Sequence, residues 1–322
     1  MKERKELSLT NCNICPRNCG VDRTSKNLGF CRQKATLTAA RAYLHAWEEP
    51  CISGENGSGT VFFSGCNMRC VFCQNQEIAS GDVAKEISSE RLSEIFLELQ
   101  EKKASNVNLV TPTHFVPLII PAIESARDQG LVIPLVYNTS GYEKVDTLKA
   151  LEGLIDIYLP DCKYYSDDIA ERYSSARGYF DMSMAAIEEM IRQVGEPLFY
   201  PLMDSRKYNR CIEEADDDYS GPLMKSGVIV RHLMLPGCLE DSKKIIEKLL
   251  DSFGDKCYLS IMNQFTPHGD LSAFPELLKP VDPKDYEELI DFAIEKGIEN
   301  GFFQGEGTDS ESFIPAFDFS GL

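Results

Sequence analysis

The sequence predicts an α/β chain, a partial (β/α)6 barrel of the TIM type, preceded by a small Cys-rich metal-binding extension. Three observations carry this. From residue 60 onward, short apolar runs alternate with amphipathic segments, six times over. Such alternation implies a parallel sheet joined by right-handed crossovers, and six units fall two short of a closed eight-fold barrel. Before residue 35, four cysteines stand close together with little apolar periodicity around them. So small a segment cannot hold itself together by burial alone. Finally, 322 residues suffice for one large domain with an appendage. We place 1–58 as extension and connector, and 59–322 as the core with a C-terminal extension.

The elements follow in order. Cys12, Cys15, Cys19 and Cys31 are four thiols within twenty residues, the pattern of a metal knuckle. Residues 35–46 mix small residues with Arg41, Tyr43 and His45, and suit strands or a short helix. His45 reads as a packed or hydrogen-bonding residue, since no partner is in register. Residues 53–59 are a turn-rich loop. Residues 60–64 read as a buried strand. Leu92, Ile95, Phe96 and Leu99 share one face of a helix over 89–103. A strand at 107–110 leads to a helix over 116–129 that Gly130 closes. Strand 133–137 precedes helix 144–152, and strand 155–159 precedes a helix over 185–194. Strand 228–235 is followed by helix 241–253, and strand 257–262 by helix 284–296. The stretch 196–226 is longer than a usual link, and its run Asp216-Asp217-Asp218 reads as a solvated loop.

In barrels of this kind ligands sit where the strands end. All six ends fall on one face and all are polar or rich in Gly and Pro. A cysteine loop follows the first strand, Thr111-Pro112-Thr113-His114 the second, and Asn138-Thr139-Ser140-Gly141-Tyr142 the third. Pro160-Asp161-Cys162-Lys163 follows the fourth, the fifth carries Arg231, and Asn263-Gln264-Phe265 ends the sixth.

Composition narrows the partners. With 33 basic and 51 acidic residues the net charge is -18, which argues against nucleic acid or an anionic membrane surface. No apolar run approaches a membrane span, and the first residues lead into no apolar signal segment. Twelve cysteines in such a chain point to metal sites in a reducing compartment. We expect a cytoplasmic protein.

The chemistry concentrates in the loop from Gly65 to Asn75, where Cys66, Cys70 and Cys73 are spaced by three and then two residues. Three thiolates hold three corners of an iron–sulfur cube and leave one iron open, whereas electron-transfer clusters use four cysteines. A structural zinc wants four closed ligands, and no fourth cysteine or histidine lies just downstream. The N-terminal four are a closed set with a structural role. Zinc and a fully ligated iron–sulfur cluster both satisfy them, with a zinc-like site the first expectation.

Cys66-x-x-x-Cys70-x-Phe72-Cys73 resembles the signature of radical S-adenosylmethionine (SAM) enzymes, whose fold is a partial (β/α)6 barrel. With Cys12 to Cys31, Glu48-Glu49-Pro50, Thr111 to His114, Tyr137 to Tyr142, Tyr158 to Asp161 and Val230 to Leu233, the chain is similar to the PflX-type proteins. These are relatives of pyruvate formate-lyase activating enzyme, one of the activases of glycyl radical enzymes. The resemblance implies a [4Fe–4S] cluster on Cys66, Cys70 and Cys73, and SAM as cofactor. It implies that Phe72 lies near the adenine, that Asn75 ends the signature, and that Asn138 and Ser140 face SAM. Asp161 would meet the SAM amino group, Lys163 its carboxylate, and Arg231 would help hold it. Thr111, Thr113 and His114 stand where activases carry a Gly-Gly-Glu-Pro motif. Gln264 completes the rim. Cys162, between two SAM-facing positions, reads as an inert buried thiol, with hydrogen-atom donor as the alternative.

The implied activity is reductive cleavage of SAM to a 5′-deoxyadenosyl radical that abstracts a hydrogen atom. The target is a glycine of a partner protein, another peptide or a small molecule. An electron donor such as flavodoxin or ferredoxin would supply the electron. The contrasting reading is an iron–sulfur electron carrier or regulatory binding protein without turnover.

Overall fold

A computed structural model describes residues 7–201, 221–305 and 315–322. One sheet organises them, in the order β10-β9-β8-β6-β5-β4-β2-β1-β3. β1 (Leu37–His45) runs antiparallel to β2 (Ser58–Phe63), and β3 (Lys85–Ile87) pairs antiparallel on its other side. From β2 the sheet is parallel through β4 (Val107–Val110), β5 (Leu135–Thr139), β6 (Ile157–Pro160), β8 (Met224–Leu233), β9 (Tyr258–Met262) and β10 (Gly301–Phe303). The short β7 (Leu198–Phe199) pairs with β8 from outside that path. The first and last strands of the order are not paired with each other, so the sheet is open, a partial barrel.

The helices are α1 (Pro50–Ser53), α2 (Gln76–Ala79), α3 (Ser89–Glu101), α4 (Val116–Asp128), α5 (Val145–Ala150), α6 (Asp167–Ser174), α7 (Tyr179–Val194), α8 (Leu239–Phe253) and α9 (Pro283–Glu295). Ser88 caps α3 by accepting from the Arg91 amide, and Asp282 caps α9 with Pro283 behind it at the first helical position. The six predicted strand–helix units are all present.

Strand periodicity sorts the side chains into two layers. Tyr137, Tyr158 and Val228 face the helices, where they meet Phe96, Ile119, Leu148, Ile187 and Ile245. Their neighbours Val136, Ile157, Leu159 and Ile229 face the barrel interior. There α1 acts as a plug: Cys51 and Ile52 pack on those four strand residues. Each fully buried aliphatic side chain contributes about 1.5–3 kcal/mol. Because β1 is antiparallel, with His45 opposite Ser58 at the start of β2, the chain reaches α1 from the end of the barrel opposite the cysteine loop.

The structure revises some boundaries. β5 and β6 begin two residues later than predicted. Pro134 has no amide to donate, and the Asp156 carboxylate accepts from the Leu135 amide and from Arg127 rather than extending a strand. The ambiguous stretch 35–46 is the strand β1, covered by the C-terminal segment through Phe319 and Ser320. α6, the first turns of α7, and β10 are additions. Of the long link, residues 202–220, with Asp216 to Asp218, lie outside the described residues.

Candidate active site

A cavity of about 230 Å³ opens at the C-terminal ends of the parallel strands. Cys66, Cys70 and Cys73 line it, and among the described residues no other cysteine does. Phe72, Asn75, Thr111, Asn138, Ser140, Asp161, Lys163, Arg231 and Gln264 line it too. The strand-end argument therefore brings together nine of the eleven residues named as SAM contacts.

The cysteine loop is held by close backbone packing. Gly65 has φ +83°, and a Cβ there would stand 2.4 Å from the Gln33 side chain and 2.6 Å from the Cys31 carbonyl. Only glycine fits. The Met68 amide donates to the Cys66 sulfur at 3.3 Å, and Val71 donates to Tyr173 O at 2.9 Å. The Phe72 ring meets Tyr164, Tyr173 and Phe265 edge-on, and so forms an apolar wall. Burial, with Cys70 adding to it, pushes the Cys66 thiol up to about 11 and Cys73 to about 12. Left alone these thiols stay protonated; a metal binds them with release of protons.

Across the cavity from this loop, charges alternate. Lys163 Nζ lies 2.5 Å from Asp161 Oδ2, Arg231 Nε donates to Asp161 Oδ1 at 2.9 Å, and Arg231 Nη1 reaches Glu48 Oε2 at 3.2 Å. Arg231 Nη2 also donates to Asn138 Oδ1 at 2.6 Å, while Glu48 Oε1 accepts from Asn108 at 2.8 Å. Burial works against the Asp161 carboxylate, but Lys163 and Arg231 outweigh it and hold the group below its ordinary range. Burial lifts Glu48 above that range against the pull of Arg231. It also lifts Glu49, whose Oε2 has no hydrogen-bond partner among the described residues, to about 7. Gly141, φ +75°, lets the neighbouring strand end come close: a Cβ there would lie 2.1 Å from Asp161 O.

Glu48 lines the cavity, yet sequence reasoning assigned it no role there. It rises from just before the α1 plug into the cavity floor. The Glu48-Glu49-Pro50 triplet enters the sequence reading only as part of the family resemblance. The available signal was an acidic pair followed at once by Pro50, a helix start, and by apolar Cys51-Ile52, which must go inside.

Two expectations are corrected, and for Cys162 the alternative reading as a donor falls. Thr113 is fully buried and donates to Glu143 Oε1 at 2.5 Å, away from the cavity. His114 is buried beside Phe115; its ring donates from Nε2 to Ser64 O at 2.8 Å. Burial, aided by Arg23, drops it to about 3, so the ring is neutral. The 3-10 turn at Thr113–Phe115 rotates both side chains inward, and only Thr111 stays on the rim. Cys162 alternates with Asp161 and Lys163 and so faces the helices, fully buried, its thiol pushed up to about 12 by burial. It does not reach the cavity as a hydrogen-atom donor.

The N-terminal cysteines sit in each other's field. Burial raises Cys15 to about 12 and also raises Cys31, and each is raised further by Cys19. Among the described residues, however, no three His, Cys, Asp or Glu side chains converge as on one metal ion. The same holds of Cys66, Cys70 and Cys73, and in an iron–sulfur cube each thiolate meets a different iron, so the three need not converge on one ion. The extension is fastened to the core by Arg23, which is buried and donates to Gln33 O, Lys34 O and His114 O.

Comparisons with known proteins give the following likenesses. The chain matches the Radical SAM superfamily over residues 60–205. An uncharacterized protein of Methanocaldococcus jannaschii is 26% identical over 291 residues, covering 88% of this chain and 74% of the relative. Among solved structures, Streptococcus suis SuiB bound to precursor peptide SuiA aligns with 76% of this chain at 12% identity and a TM-score of 0.48; the chain spans 47% of its length. A domain of pyruvate-formate lyase-activating enzyme from Bacteroides vulgatus aligns with 63% of this chain and 100% of its own length, at 11% identity and a TM-score of 0.40. Among the described residues no helix is long and apolar enough to cross a membrane. The match to the Radical SAM superfamily thus lies over residues 60–205, on an open, mostly parallel α/β sheet.

Proposed function

We propose that this chain is a radical SAM enzyme acting on a glycine of a partner protein, in the manner of a pyruvate formate-lyase activase. The observation that carries the reading is the pairing within one cavity of three thiols, alone among the described cysteines, with an alternating chain of buried charges. Cys66, Cys70 and Cys73 would hold the cluster, which would supply the single electron for reductive cleavage of SAM to methionine and a hydrogen-abstracting 5′-deoxyadenosyl radical.

The protein's own part is to bind, orient and exclude water. The order Glu48, Arg231, Asp161, Lys163 is negative, positive, negative, positive. A zwitterion laid along it finds Lys163 for its carboxylate and Asp161 and Glu48 for its amino group. Asn138, Ser140, Thr111 and Gln264 offer neutral hydrogen bonds around it, Asn75 lines the cavity beside the cysteine loop, and Phe72 gives the adenine an apolar wall. The four N-terminal cysteines hold a second, structural metal centre, and a flavodoxin or ferredoxin delivers the electron. The strongly acidic chain works in the cytoplasm.

The test is anaerobic reconstitution with iron and sulfide, then SAM and dithionite. Formation of 5′-deoxyadenosine supports the enzyme. A cluster that reduces and reoxidises with no 5′-deoxyadenosine supports the electron carrier instead. The glycine assignment is checked by adding a glycyl radical enzyme and looking for its radical by electron paramagnetic resonance (EPR).

A further inference from the structure

Arg17 lies between Cys15 and Cys19 in the extension, yet its side chain ends on the cysteine loop of the core. Its Nε donates to Asn67 O at 2.7 Å and one Nη reaches Met68 O at 3.5 Å. The same guanidinium donates to Ser174 O at 2.8 Å and to Ser175 O, at the end of α6. It lies 3.8 Å from the centre of the Phe30 ring and 5.2 Å from that of Tyr142. Among the described residues no carboxylate pairs with it. Its planar fork spans neighbouring carbonyls in a way a lysine cannot.

The two loop carbonyls belong to consecutive peptide groups. The far end of the first is the Met68 amide, which donates to the Cys66 sulfur at 3.3 Å. The far end of the second is the Arg69 amide, next in the same loop. Arg69 has φ +54°, a conformation costly for a residue with a side chain. Something must hold those peptides there, and the guanidinium on their oxygens does so.

We propose that Arg17 is a positioning residue: by clamping the 67–68 and 68–69 peptides by their oxygens, it holds the Met68 N–H on the Cys66 sulfur and raises the reduction potential of the cluster bound there. The proposal rests on the reading of Cys66, Cys70 and Cys73 as cluster ligands. Hydrogen bonds to cluster sulfurs stabilise the more negative, reduced state and tune the potential. The extension thereby acts on the chemistry while standing outside the cavity.

An EPR-monitored redox titration of the reconstituted full chain tests this. At the wild-type midpoint, Arg17→Gln lowers the reduced-to-oxidised ratio about tenfold, equivalent to a midpoint about 59 mV more negative for a one-electron couple. Arg17→Lys, which keeps the charge but cannot span both carbonyls, shifts the same way by a smaller step. An unchanged midpoint in Arg17→Gln overturns the proposal. A shift in Arg17→Gln with none in Arg17→Lys assigns the effect to charge alone and overturns the clamp. Should Arg17→Gln fail to take up the cluster, the Arg17→Lys midpoint decides. A wild-type chain that takes up no cluster overturns the ligand reading beneath both.

Discussion

The chain carries two groups of cysteines, and they differ in what surrounds them. Cys66, Cys70 and Cys73 follow a buried parallel strand and open onto a cavity with Lys163, Asp161 and Arg231 on its walls. Cys12, Cys15, Cys19 and Cys31 sit on a segment without strand or helix, tied down by arginines that satisfy backbone carbonyls. Three thiols facing a charged cavity leave a coordination position for a reactant. Four thiolates on one metal centre would leave none. Ligand count and access, rather than residue type, separate a reactive centre from a structural one.

That contrast predicts graded effects. The largest follows Cys66→Ala, Cys70→Ala or Cys73→Ala: complete loss of the cluster and of SAM cleavage, with circular dichroism unchanged. Iron analysis of anaerobically purified protein checks it; zinc alone at these cysteines would contradict it. Cys15→Ala inverts the pattern. It costs on the order of 1–3 kcal/mol of stability and lowers soluble yield, while SAM cleavage per folded molecule changes little. A denaturant melt beside an activity assay separates the two.

Lys163→Ala acts inside the cavity only. Losing a charge-assisted hydrogen bond of about 1.5–3 kcal/mol weakens SAM binding roughly ten- to a hundredfold. SAM titration against the EPR signal measures this, and an unchanged dissociation constant would reduce Lys163 to an internal partner of Asp161. The smallest effect near neutral pH comes from His114. Folded, it stays neutral down to about pH 3; unfolded, it takes a proton near 6.5. The unfolded state thus binds more protons between those values, so stability is complete above about 6.5 and falls by about 1.4 kcal/mol per pH unit below it. His114→Gln, which can still donate to Ser64 O, flattens that acid limb in pH-dependent melts.

Much of the site was legible because its parts are local. The spacing from Cys66 to Cys73 and the strand ahead of it lie in one short stretch, and the parallel topology puts Asn138, Asp161, Lys163, Arg231 and Gln264 at one end whatever the loops do. What failed needed three dimensions. Thr113 and His114 look as polar as Thr111, but a single 3-10 turn puts them inside, where Glu143 and Ser64 O receive them. Glu48 reaches Arg231 only because α1 plugs the barrel from the opposite end. β10, three residues long, is a strand only through its pairing with β9. Arg17 gave no signal at all, since its partners are backbone oxygens about fifty and 158 residues away in sequence.

The central claim is that the three-cysteine loop and the charged chain form one SAM site. The most direct measurement is the EPR spectrum of the reduced, reconstituted protein before and after SAM is added. The account predicts a [4Fe–4S] signal that SAM alters in the wild type. It predicts that Lys163→Ala needs roughly ten- to a hundredfold more SAM for the same change. A cluster signal that saturating SAM leaves unchanged would contradict it.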